Sequence, residues 1–177
     1  MLTPTEKGNI AEAKLAAAAI ELGIGVCLPV GDGCRYDLLF DLHPHLMRVQ
    51  CKWSPRKGDV IVVRCRTNRY SPVQGYISTH YTAEEVDAIG AYCPELDRSY
   101  LLPIAEFEGH SYCHLRLARS RNNQEQGVRM AAAYELGAIA QLGERRRGTP
   151  EAAGSSPASS TAKAALLGGL RLFEGGA

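Results

Sequence analysis

The sequence predicts an α/β (α+β) domain built on a mixed central β-sheet flanked by helices. Three observations lead there. A capped amphipathic helix opens the chain, short apolar runs rich in β-branched and aromatic residues follow it, and a second helix-start signal lies among the later strand signals. At 177 residues, with 45% hydrophobic and 22% charged residues, the chain is long enough for a real core and has globular composition.

The helix is announced by Thr3-Pro4-Thr5-Glu6, where a threonine cap, a proline in the first turn and a glutamate three residues after the cap form a capping box. Leu15, Ala18, Ala19 and Leu22 give it an apolar stripe and Gly23 can end it, so it spans roughly Pro4 to Leu22. Strand signals follow at Val26 to Val30, Asp37 to Leu42 and Leu46 to Trp53, divided by Gly31-Asp32-Gly33 and His43-Pro44. Asp59 to Cys65 reads as another strand, and Thr67 to Tyr76, with Pro72 and Gly75, as a polar loop.

Thr82 caps Ala83 to Asp87 in a second capping box, which predicts a helix there. Strands are expected near Ile89 to Tyr92, Ser99 to Leu102 and Tyr112 to Leu117, and a last helix over Gly127 to Leu136. After Gly137 the chain turns to Gly, Ser, Ala, Pro and Arg with no sustained period. Residues 1–136 are therefore read as the domain, and 137–177 as a poorly ordered low-complexity tail.

Composition narrows the function classes. No run of apolar residues is long enough to span a membrane and no secretory signal opens the chain, so a cytoplasmic protein is expected. The cysteines Cys27, Cys34, Cys51, Cys65, Cys93 and Cys113 form no C-x-x-C pair, which points to reduced thiols. His43, His45, His80, His110 and His114 share no metal-ligand spacing with cysteines or carboxylates. The net charge of +1 says little, but its distribution does: Arg48, Lys52, Arg56, Lys57, Arg64, Arg66 and Arg69 face only Asp59 in that stretch, as a local binding patch would.

The chemistry-bearing residues converge by periodicity. In Arg48-Val49-Gln50-Cys51-Lys52 a strand turns Gln50 and Lys52 to one face and Val49 and Cys51 to the other. Asp37 opens the preceding strand and delivers a carboxylate to a sheet edge, while Glu12 sits at the border of the helix's apolar stripe, where a charge needs a partner. Two carboxylates, an amide oxygen and a lysine at one point would suit a hard cation with room for water and a phosphate. Taken singly, each feature has a plainer reading: Asp37 and Lys52 as surface residues, Glu12 as the partner of a nearby cation, Arg64 to Tyr70 as a solvated loop.

Together these segments resemble the PD-(D/E)XK nucleases, in the branch associated with group I introns and homing endonucleases. The resemblance rests on Tyr36-Asp37-Leu38-Leu39-Phe40, Val49-Gln50-Cys51-Lys52 and Glu12, and extends to Tyr81-Thr82 through Tyr92, Leu101-Leu102-Pro103 and Arg121-Asn122-Asn123-Gln124 with Gly127. It departs from the general motif at Gln50, where an acid is commoner. The resemblance implies a restriction-endonuclease-like core and Mg²⁺-dependent hydrolysis of phosphodiester bonds in double-stranded DNA. Glu12, Asp37, Gln50 and Lys52 would be catalytic, with Asp37, Glu12 and the Gln50 carbonyl holding the metal and Lys52 orienting water or stabilising developing charge. Arg56, Lys57, Arg64, Arg66, Arg69 and Tyr70 would contact DNA. It further implies site-specific cutting by a homodimer or homotetramer. Rival readings are a Holliday-junction resolvase or restriction-type nuclease, and a non-catalytic DNA-binding protein on the same fold.

The tail carries a separate signal. Ile139-Ala140-Gln141-Leu142-Gly143-Glu144-Arg145 can be back-translated to a tRNA D-arm and Gly154-Ser155-Ser156-Pro157 to a T-arm, with Gly148 at the anticodon in codons that permit alanine. The tail is thus read as an in-frame translation of a tRNA gene, which makes a tRNA gene the expected DNA target. The nucleotide sequence would refute this by failing to form the cloverleaf.

Overall fold

The computed structural model describes residues 1–31, 33–119 and 127–138, and all of these except Arg69 at side-chain level. The tail from residue 139 and the Arg121 to Gln124 segment lie outside the described residues.

Helix α1 (Pro4–Glu21) forms as its cap dictates: the Thr3 hydroxyl accepts the Glu6 N–H at 3.2 Å, and the Glu6 carboxylate accepts the Thr3 N–H at 2.7 Å. Gly23, at φ 75°, ends it, with the Gly23 N–H on the Ile20 carbonyl and the Ile24 N–H on the Ala19 carbonyl. The strands are β1 (Gly25–Cys27), β2 (Leu38–Asp41), β3 (Leu46–Trp53), β4 (Arg56–Lys57), β5 (Val60–Arg64), β6 (Arg66–Ser71), β7 (Gly75–His80), β8 (Ala88–Cys93), β9 (Arg98–Pro103), β10 (Tyr112–Arg116) and β11 (Arg129–Met130).

The main sheet runs β1-β2-β3-β8-β9, parallel between β3 and β8 and antiparallel elsewhere. It is the mixed sheet the sequence predicts. Helix α1 covers one face, burying Leu15 and Ala19 against Leu38, Phe40, Met47, Val49 and Cys51. The approach is close enough that a Cβ at Gly90 would lie 2.9 Å from the Leu15 Cδ1 and 3.0 Å from the Val49 Cγ1, which is why β8 carries glycine there. The second face is covered by a four-stranded sheet, β11-β10-β5-β4, through Ile61, Val63, Cys113 and Leu115 packed on Ile89, Ala91 and Leu102. A helix thus flanks one face of the central sheet, as expected, and a second sheet covers the other.

Three local expectations are corrected. Thr82 to Asp87 makes a single turn, not a helix: the Thr82 carbonyl accepts the Glu85 and Val86 N–H groups, but the Asp87 N–H then bonds to the Arg48 carbonyl at 2.9 Å and draws the chain into β8. Gly127 to Leu136 is not a helix across that range but contains β11 and a 3-10 turn at Ala131–Ala133. The polar loop at Thr67 to Tyr76 lies within a regular hairpin, β6 against β7, closed by a turn in which the Gln74 N–H donates to the Ser71 hydroxyl and Gly75 takes φ 70°. Buried Cys65 and Tyr81 flank this hairpin, while none of its described side chains belongs to either core cluster. Among the described residues no helix is long and apolar enough to cross a membrane.

Candidate active site

The site grows out of the register between β2 and β3. Leu38 pairs with Val49, so Asp37, one residue before β2, stands across from Gln50. Because β2 stops there, the Cys51 N–H points past the end of its neighbour, and the Asp37 carboxylate accepts it at 2.7 Å. The Gln50 side-chain amide also donates to that carboxylate. β2 is an inner strand, flanked by β1, so Asp37 lies at a strand end and not at the sheet edge the sequence suggested.

Met47, Val49 and Cys51 belong to the core under α1, so strand alternation turns Gln50 and Lys52 to the other face, where both are half-buried. Glu12 comes from α1 beside its buried stripe of Ala11, Leu15 and Ala19, and is itself half-buried. Burial raises the Glu12 carboxyl above its ordinary range, Asp37 raises it further, and Lys52 opposes the rise. Burial likewise raises Asp37, against the Cys51 N–H, the Lys52 charge and the Gln50 amide. Glu12, Asp37, Gln50 and Lys52 thus form one electrostatic cluster.

The donor set fits a hard divalent cation. Two carboxylates are held where burial disfavours their charge, and a cation would reverse that cost. Among the described residues no three His, Cys, Asp or Glu side chains gather into a metal-binding group, and the candidate ligands here are the Glu12 and Asp37 carboxylates and the Gln50 amide oxygen. Mg²⁺, which keeps several waters and takes one or two protein carboxylates, matches such a set. The Cys51 side chain lies in the core under α1, and its contribution to the site is the backbone N–H.

Two neighbours of the site had no signature in the sequence. The Lys52 ammonium donates to the Tyr81 hydroxyl at 2.7 Å, and the Arg35 guanidinium lies 4.8 Å from the Tyr81 ring centroid. Tyr81 falls in a segment of the resemblance without being marked by spacing. The contact joins residues 29 apart, so no local pattern could reveal it.

A family model described as PD-(D/E)XK endonuclease matches residues 2–137. The chain belongs to the PD-(D/E)XK endonuclease family. The solved structure of a bacterial homing endonuclease, I-Ssp6803I, is similar over 84% of this chain and 100% of that one, at 28% identity and a TM-score of 0.62. No match to a curated protein is found. PD-(D/E)XK nucleases generally use divalent metal ions.

In this PD-(D/E)XK endonuclease the basic residues are not one cluster. Arg56 and Lys57, both exposed on β4, pair with Ile61 and Val60 at the start of β5, whereas Arg64 closes β5 and Arg66 opens β6. Arg64 lies three to four residues along β5 from the partners of Arg56 and Lys57, about 10–14 Å at about 3.4 Å per residue. Arg64 and Arg66 lie 5.9 Å and 5.3 Å from the Tyr112 ring centroid, and the Arg56 Nε donates to the Gly58 carbonyl at 2.6 Å. Tyr70 is 67% exposed and packs edge-on against Tyr76, their centroids 5.3 Å apart. Arg48 leaves the patch: its guanidinium pairs with Asp87 at 2.8 Å and donates to the Ala83 and Glu84 carbonyls. The Arg69 side chain is not among those the structure describes.

Proposed function

We propose that the protein is a Mg²⁺-dependent, site-specific DNA endonuclease of the homing type. What supports the reading is the Asp37 carboxylate holding the Gln50 amide and the Cys51 N–H at the end of β2, with Asp37 and Lys52 both acting on the Glu12 carboxyl, in a chain of the PD-(D/E)XK family. Asp37, Glu12 and the Gln50 amide oxygen would hold the ion. A bound Mg²⁺ supplies Lewis acidity toward the scissile phosphate. Asp37 is itself oriented by the Cys51 N–H, leaving its second oxygen for the ion. The Lys52 ammonium has donors beyond the one spent on Tyr81, and these orient the attacking water or meet the negative charge that develops on the phosphate oxygens.

DNA contact is assigned to Arg56, Lys57, Arg64, Arg66, Arg69 and Tyr70. The β6–β7 register sets Arg66 beside His80, Asn68 beside Ser78 and Tyr70 beside Tyr76, so these side chains share one face of a two-stranded ribbon. A ribbon of this kind fits the major groove, where arginine suits guanine and asparagine suits adenine. Cutting two antiparallel strands with one small site calls for two-fold symmetry, supplied by a homodimer or homotetramer in the cytoplasm. The tRNA-like back-translation of the tail supports a tRNA gene as target, and the likeness to a bacterial homing endonuclease supports homing over junction resolution.

The test is Mg²⁺-dependent cleavage of a plasmid carrying an uninterrupted alanine tRNA gene by the intact protein, Asp37→Ala and Lys52→Ala. Cutting at one site, lost in both variants, is the expected result. Binding without cutting across several tRNA genes would move the assignment to a non-catalytic DNA-binding protein.

A further inference from the structure

Tyr81 occupies a junction. It follows β7 directly, is 2% exposed, and its ring belongs to the core between the two sheets. Its hydroxyl lies 2.7 Å from the Lys52 Nζ, and that ammonium is 5.0 Å from the ring centroid. Arg35 packs against the same ring at 4.8 Å. Arg35 is in turn fixed by Glu85, at 3.0 Å and 3.2 Å, and donates to the His80 carbonyl at 3.3 Å and the Thr79 hydroxyl at 3.4 Å.

A lysine head sits on a flexible four-carbon stem with three rotatable donors, so its position is costly to specify. Here the rigid phenol supplies a fixed acceptor. Because Tyr81 is one of the two core residues that flank the hairpin, and Arg35 contacts both the hairpin's end and the ring, the lysine and that end of the hairpin share one support.

We propose that Tyr81 is a positioning residue for Lys52, seated by Arg35, and that it ties the lysine's placement to the base of the β6–β7 hairpin. The role in cleavage rests on the nuclease reading of Lys52; the placement of the ammonium does not.

Two measurements on Tyr81→Phe, which removes only the hydroxyl, test this. In the metal-free protein, limited acylation with acetic anhydride followed by mass spectrometry reads the freedom of each lysine. Lys52 should label several-fold faster in Tyr81→Phe than in wild type, with Lys7 and Lys57 unchanged, whereas equal Lys52 labelling overturns the proposal. In Mg²⁺-dependent cleavage of the target plasmid, kcat should fall about 10- to 100-fold with DNA affinity and melting temperature unchanged. An unchanged kcat, or a loss explained by weaker DNA binding, overturns the proposal. If wild type cuts no DNA the nuclease reading fails, and the labelling result alone decides the placement.

Discussion

The Asp37 carboxylate bonds to the Cys51 N–H at 2.7 Å and so closes the end of β2 onto β3. The same group is therefore both a strand clasp and an active-site candidate, and the two roles separate by substitution. Asp37→Asn keeps an oxygen for the Cys51 N–H and should keep the melting temperature within a few degrees. Asp37→Ala should lose about 1–3 kcal/mol of stability, since the N–H is left without its acceptor. Both should reduce cleavage by at least about 100-fold, read as single-turnover plasmid cutting beside thermal melts.

Arg48 and Arg64 lie in one basic stretch of sequence and should behave oppositely. Arg48→Ala leaves the half-buried Asp87 carboxylate the backbone N–H of residue 48 but no cationic partner, and should cost about 2 kcal/mol in chemical denaturation. The salt dependence of DNA binding should not move. Arg64→Ala, on an exposed side chain, should leave stability within about 0.5 kcal/mol. If Arg64 neutralises a phosphate, the slope of log affinity against log salt falls by about 0.9.

Gly90→Ala should destabilise by about 1–3 kcal/mol, because the added methyl must displace Leu15 and Val49 from a packed contact. Pairing it with Leu15→Ala, which opens space at the same point, should give less than the sum of the two single losses. Additive losses in urea denaturation would place the cost elsewhere.

Thiol chemistry reports the fold and its pH response. Cys27 and Cys34 are exposed and should react with a disulfide reagent at pH 8 in the native protein, whereas Cys51, Cys65, Cys93 and Cys113 are buried and should react only after denaturation. Burial pushes the Cys65 thiol from 9.0 up to about 11 and the Cys113 thiol up to about 12. Both values are raised, so the folded state holds these protons more tightly than the unfolded chain. Their contribution is intact below pH 9 and declines as the pH climbs through 9 toward 11 and 12. A Cys65→Ala, Cys113→Ala double variant should lose stability less steeply than wild type between pH 9 and 11.

Much of this arrangement is legible in the sequence because it obeys local periods. The Thr3 and Glu6 box marks α1, and alternation along β3 already sends Gln50 and Lys52 to one face. What escaped is set by long-range contacts or by the absence of burial. Thr82 and Glu85 carry the local pattern of a helix start, but the bond from Asp87 to the Arg48 backbone overrides it after one turn. The β6–β7 hairpin leaves no apolar alternation to read because its residues lie outside both cores, even though Tyr70, Tyr76, Ile77 and the threonines suit strands. Arg48 looks like its basic neighbours until the fold brings Asp87 to it.

The hairpin's isolation from both cores bears on how such a protein can change. Exposed residues outside the core can be exchanged with little penalty to folding, so the exposed surface of β6 and β7 is free to diverge while Cys65 and Tyr81 hold its two ends. Variation concentrated there would give related chains new preferences on an unaltered scaffold.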